Sequence, residues 1–117
     1  MTIGEIKEIL NARLLTPDTD PGAEVHAACG SDMMSDVLAY VKDQAVLVTG
    51  LNNPQVVRTA EMMDMVCIVF VRGKQPEPAV LALAQSKQIA VLSTDYAMFT
   101  ACGLLYQSGL RGGSADK

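Results

Sequence analysis

The sequence predicts an α/β fold: a single domain with a mainly parallel sheet of about four to five strands flanked by helices. Three observations carry that expectation. The runs Ala45-Val46-Leu47-Val48-Thr49, Val66 to Val71 and Ile89 to Ser93 are apolar on both faces, the pattern of strands covered on two sides. They alternate with stretches whose apolar residues recur at helical spacing. The chain has 117 residues, a length suited to one core rather than two.

The elements follow in order. Thr2-Ile3-Gly4-Glu5 has the T-x-x-E form of a capping box, and Ile3, Ile6 and Leu10 continue at helical spacing, so a helix is expected over 2–12. Leu14-Leu15 is a brief strand candidate. Residues 16–22 hold two prolines, a glycine and two aspartates and read as a loop. Residues 24–29 read as a strand ending at Gly30. Met34, Val37, Leu38 and Val41 mark a helix over 31–42. Asn53-Pro54 supplies an N-cap and a first-turn proline for a helix to about Met63. After the strand 66–71, a helix is expected from Pro78 to about Lys87. The strand 89–93 follows, then Asp95 as cap of a last helix to about Tyr106. The expected division is a domain over 1–108 and a frayed tail over 109–117, where three glycines mix with polar residues.

Composition excludes several classes. With 50% hydrophobic and 19% charged residues the chain is globular rather than disordered. A net charge of −4 argues against nucleic acid or an anionic membrane as the main partner. No apolar run approaches the roughly 20 residues that span a bilayer, and no basic-then-apolar leader opens the chain. Cys29, Cys67 and Cys102 are odd in number and widely spaced, which points to a reducing cytoplasm rather than a disulfide framework. His26 and Cys29 form H-x-x-C, but positions i and i+3 of a strand face opposite ways, so no metal site is expected. His26 is the only histidine, and no G-x-S-x-G elbow surrounds a serine. No catalytic constellation is present, and no cofactor is implied.

Ligands of open parallel sheets bind beyond the carboxyl ends of the strands. Four loops should meet there, carrying Ser31 and Asp32; Thr49, Gly50, Asn52 and Asn53; Arg72, Gly73 and Lys74; and Ser93, Thr94 and Asp95. Backbone N–H groups, hydroxyls, amides and two cations suit a small anion or a nucleotide phosphate. The spacing of a P-loop and G-x-G-x-x-G are both absent, which gives kinase activity no support. The last helix is apolar around much of its circumference. Met98, Cys102 and Leu105 form one stripe, while Tyr96, Phe99 and Tyr106 form a second that points to a homodimer contact.

Particular strings also resemble the DRTGG domain family. They run from Ala28-Cys29-Gly30-Ser31-Asp32 to Ala39, from Leu47-Val48-Thr49-Gly50-Leu51-Asn52-Asn53-Pro54 to Glu61, from Ile68 to Arg72-Gly73-Lys74, and over Leu92-Ser93-Thr94-Asp95-Tyr96-Ala97-Met98-Phe99. Together they cover about 1–108. The family is similar in fold to the N-terminal domain of HPr kinase/phosphorylase. It occurs as an accessory module in phosphotransacetylases and CBS-domain pyrophosphatases, where it contributes to dimer contacts. The resemblance implies a non-catalytic regulatory or scaffolding module that dimerises and binds a small anionic ligand or nucleotide at the strand ends. Two alternatives stand beside it. One is an accessory protein docking onto a larger metabolic or redox enzyme, since some relatives accompany iron-hydrogenase genes. The other is a small enzyme or nucleotide sensor acting at the same edge. Kinase activity is not implied, because the phosphate-binding loop of HPr kinase belongs to its other half.

Overall fold

In the computed structural model, residues 1–39 and 43–112 are described. The elements are α1 (Ile3–Ile9), β1 (Arg13–Leu14), β2 (Ala27–Gly30), α2 (Met34–Val37), β3 (Ala45–Thr49), α3 (Pro54–Met62), β4 (Cys67–Phe70), α4 (Pro78–Ser86), β5 (Ala90–Ser93) and α5 (Met98–Gln107). One sheet runs β1-β5-β4-β3-β2, with β2 to β5 parallel and β1 antiparallel to β5. The α/β architecture expected from the sequence is therefore present.

Every residue of β3, β4 and β5 is buried, and their side chains alternate between two cores. Leu47, Ile68, Phe70 and Val91 face α2, α3 and α4. Val46, Val48, Val69 and Leu92 face α1 and α5. The split follows from topology. Strands β2 to β5 lie side by side in chain order, and successive crossovers of one hand stack their helices on one face. The opposite face is left to the two helices outside that series.

Local chemistry sets the helix ends. The Thr2 hydroxyl accepts from Glu5 N at 3.1 Å and the Glu5 carboxylate from Thr2 N at 3.0 Å, completing the capping box. Those two bonds hold the Glu5 carboxyl below its usual range. Asn53 caps α3 by accepting from Gln55 N at 3.0 Å, with Pro54 behind it. Three helices stop without glycine. Asn11, Asp64 and Gln88 take left-handed backbone angles of φ 47°, 57° and 59° after α1, α3 and α4. The closing bonds are Ala12 N to Lys7 O at 2.9 Å, Met65 N to Ala60 O at 2.8 Å and Ile89 N to Ala84 O at 2.9 Å.

Several expectations are corrected. The helix expected over 31–42 is α2, only Met34–Val37. Ser31 and Asp32 are held outside it, and Val41 and Lys42 lie outside the described residues. β1 is Arg13–Leu14 rather than Leu14-Leu15, because its register opposes Arg13 to Ser93 and Leu14 to Leu92. β2 starts at Ala27, while Glu24 makes an isolated antiparallel bridge to Thr2. Asp95 caps no helix: α5 begins at Met98 with Ala97 at its N-cap and no side-chain cap. After α5, Leu110 is buried and Ala28 N donates to Arg111 O at 2.8 Å, so the chain follows the outer edge of β2. Residues 113–117 of the expected tail lie outside the described residues.

Burial pushes the Cys67 thiol up to about 12 and raises that of Cys102 as well, so both are held protonated. Cys102 packs against Gly30, where a Cβ would stand 2.6 Å from its sulfur. Gly30→Ala is expected to cost about 1–3 kcal/mol by overpacking, and Cys102→Ala in the same chain to restore most of it. Urea unfolding of the two single variants and the double variant measures that coupling. Additive losses would show that the contact does not limit the site.

Candidate functional site

The carboxyl ends of β2 to β5 bring the expected loops to one edge. Asp32 anchors the first group. One of its carboxylate oxygens accepts from Gly50 N at 2.7 Å and from the Thr49 hydroxyl at 3.1 Å. The same hydroxyl accepts from Leu51 N at 3.1 Å, so buried Thr49 is fully used. A Cβ on Gly50 would stand 2.9 Å from Arg72 Nη2 and 3.5 Å from that Asp32 oxygen. The guanidinium therefore lies over the Gly50 backbone, on the side where the Asp32 carboxylate also approaches. Any side chain there would displace it.

The second group forms where β4 and β5 end. The Ser93 hydroxyl donates to Lys74 O at 2.8 Å, and Arg13 donates to Ser93 Oγ at 3.3 Å and pairs with Asp95 at 3.4 Å. Arg72 N donates to Tyr96 O and Gly73 N to Thr94 O, both at 2.8 Å. To make these bonds Arg72 and Gly73 take φ 59° and 68° in succession. For arginine that conformation costs roughly 1–2 kcal/mol. The backbone after β4 leads to α4 on one face, and that after β5 leads to α5 on the other. Divergence of this kind makes the crevice of an open α/β sheet. Here three hydrogen bonds draw its two lips together.

The remaining residues serve the backbone. Ser31 Oγ accepts from Met33 N at 3.0 Å. Asn53 is the α3 cap. Thr94 Oγ1 points inward and donates to Leu10 O at 2.7 Å, tying the end of β5 to α1. Asn52 donates through Nδ2 to Gln75 O at 2.8 Å, linking the β3 and β4 loops, while its buried Oδ1 has no partner among the described residues. The side chains of Arg72 and Lys74 are exposed and make no ion pair with a described residue. Arg13 and Gln75 belong to this edge although sequence reasoning did not place them there. Only the β1–β5 register brings Arg13 to Ser93, and no local pattern encodes it.

Two hollows lie at the opposite, amino ends of the strands. One of about 610 Å³ is lined by His26, Asp43, Glu61, Asp64 and Lys87 among others, and carries the His26–Asp43 contact at 3.4 Å and the Lys87–Glu61 ion pair at 3.2 Å. Another of about 470 Å³ is lined by Ile3, Thr16, Asp18, Val66 and Ile89 among others. Among the described residues no group of three or more His, Cys, Asp or Glu side chains could hold a metal ion, and no helix is long and apolar enough to cross a membrane.

On α5, Ala101 and Leu105 are buried, while Phe99 is 90% exposed, Tyr106 55% and Tyr96, just before the helix, 39%. Phe99, Gly103 and Tyr106 recur at i, i+4 and i+7 on its outer face. Arg111 stacks 3.9 Å over the Tyr106 ring.

The sequence model of the DRTGG domain matches residues 5–108. No curated protein matches the chain. A solved structure of the CBS and DRTGG domains of the regulatory region of Clostridium perfringens pyrophosphatase, complexed with its activator diadenosine tetraphosphate, is similar over 99% of this chain. The TM-score is 0.70 at 17% identity, and the similarity spans 50% of that structure's chain.

The Asp32 anchor is directly testable. Asp32→Ala strips the acceptor from the buried Gly50 N–H and is expected to cost about 1–3 kcal/mol in urea unfolding, while Asp32→Asn, which keeps an acceptor oxygen, costs about 1 kcal/mol or less. Equal losses would show that the carboxylate's charge, not its hydrogen bonds, holds the loop.

Proposed function

The chain belongs to the DRTGG domain family, and from that membership we propose a non-catalytic regulatory module that dimerises and binds a small anionic ligand, a nucleotide phosphate, at the carboxyl edge of its sheet. The observation that carries the ligand reading is the position of Arg72 and Lys74. They are two exposed cations on an acidic chain, without an ion pair to a described residue, set beside the point where the β4 and β5 loops diverge. Beside them lies the half-buried Asn52 amide, with Ser93 buried beneath the turn. A phosphate would gain charge-assisted hydrogen bonds from the guanidinium and attraction from the ammonium. The similar pyrophosphatase region was solved with a nucleotide activator, which supports a regulatory role built on nucleotides. Ser31, Asn53 and Thr94 hold the loops in shape rather than meeting the ligand. Three cysteines, odd in number and widely spaced, fit a cytoplasmic protein.

The homodimer reading rests on α5. Phe99 and Tyr106 flank Gly103 on the exposed face, and a Cβ at Gly103 would meet nothing within 4 Å. Glycine in a helix interior costs about 1 kcal/mol relative to alanine. At this position it flattens the face between two aromatic rings, which suits the close approach of a second helix.

Thermal-shift measurements with ATP, diadenosine tetraphosphate, acetyl phosphate, acetyl-CoA and pyrophosphate test the ligand. A binder at about 100 times its Kd adds roughly 2.7 kcal/mol and raises Tm by several degrees. Arg72→Ala with Lys74→Ala is expected to abolish the shift, and a shift that survives both moves the ligand elsewhere. Light scattering at several hundred micromolar tests the dimer, with Phe99→Asp expected to give monomer. A clean wild-type monomer at that concentration removes the dimer.

A further inference from the structure

We propose that the turn Arg72-Gly73 is a latch that passes ligand occupancy at the strand edge to helix α5, so that an anion bound at Arg72 and Lys74 alters the order of the helix bearing Phe99. The inference rests on the reading of that edge as the ligand site. Its basis is the sheet's one point of divergence. The loops after β2, β3 and β4 all lead to helices on one face, whereas the loop after β5 leads to the other. A ligand at the first three contacts one helical layer; a ligand at β4/β5 joins both.

The latch is built from backbone. Arg72 N and Gly73 N donate to Tyr96 O and Thr94 O, each at 2.8 Å, and Tyr96 leads directly into α5. Both donors sit in left-handed conformations, at φ 59° and 68°, which orient two successive N–H groups toward the β5 loop. The residue whose side chain draws the anion is thus the residue whose backbone holds the entrance to α5. Neither Ala97 at the N-cap nor any side chain before it caps the helix, so this backbone grip stands where a cap would otherwise stabilise the first turn. An anion that immobilises Arg72 removes the motion through which the turn releases Tyr96 O, and order spreads into α5 without a large displacement.

Hydrogen exchange on the full chain with saturating ATP tests this. Segments 71–75 and 97–105 are both expected to slow by about fivefold or more, the low end of allosteric couplings, with segment 54–62 of α3 as the unaffected control. In ligand-free protein, Gly73→Ala is expected to speed exchange over 97–105. It places a Cβ in a left-handed position 3.1 Å from the Asp95 carboxylate, without touching α5. If ATP protects 71–75 and leaves 97–105 unchanged, the latch is wrong while the ligand site stands. If no anion of the thermal-shift panel, ATP included, protects either segment or shifts Tm, the ligand site fails and the latch with it. Should Gly73→Ala not fold, the wild-type ATP measurement decides alone.

Discussion

Four parallel strands laid side by side in chain order can be joined only over one face of their sheet when every crossover has the same hand. That constraint governs the molecule. It commits α2, α3 and α4 to one core and leaves the other core to be closed by the chain's two outer helices, α1 before the series and α5 after it. It also removes every crevice among β2, β3 and β4, because their loops all turn the same way. Among the described residues the change of face falls between β4 and β5, where backbone hydrogen bonds span the two loops. Arg72, Gly73 and Ser93 sit at that seam for topological reasons, whatever they bind.

The edge differs from an empty anion bowl in one respect that matters for its chemistry. Most of its polar groups already have partners: Thr49 and Gly50 in Asp32, Ser93 in Lys74 and Arg13, Thr94 in Leu10. What faces outward is charge on long stems held over a hydrogen-bonded backbone. A phosphate bound there, as proposed above, would be held through Coulomb attraction and a few donor contacts, with an affinity that falls as salt rises. The carboxylates of Asp32 and Asp95 on either side disfavour ligands that present negative charge more broadly.

Much of the fold was legible because burial on two faces leaves a strong signature. β3, β4 and β5 are continuous apolar runs, and Thr2, Glu5, Asn53 and Pro54 announce their helices through capping chemistry that acts within four residues. What the sequence concealed was set at longer range. Serine and aspartate at 31 and 32 look like a helix start, but Asp32 is drawn to Gly50 and Thr49, eighteen and seventeen residues away, so α2 begins later. Asp95 has the look of a cap, yet its partner is Arg13 across the sheet. The helix ends at Asn11, Asp64 and Gln88 carry no glycine and give no stop signal of their own. The strand-end loops were correctly assembled as a group, while the division of labour within them depends on the β1–β5 register and on which helix each loop enters.

The seam has an evolutionary consequence. Its two lips, residues 72–75 and 93–96, are short turns whose exposed side chains belong to neither core, with buried Ser93 and Thr94 beneath them. Side chains at a handful of solvent-facing positions there can therefore be exchanged while both layers of packing stay intact. If the seam holds the proposed anion, the same scaffold could be retargeted from one anion to another at little cost in stability.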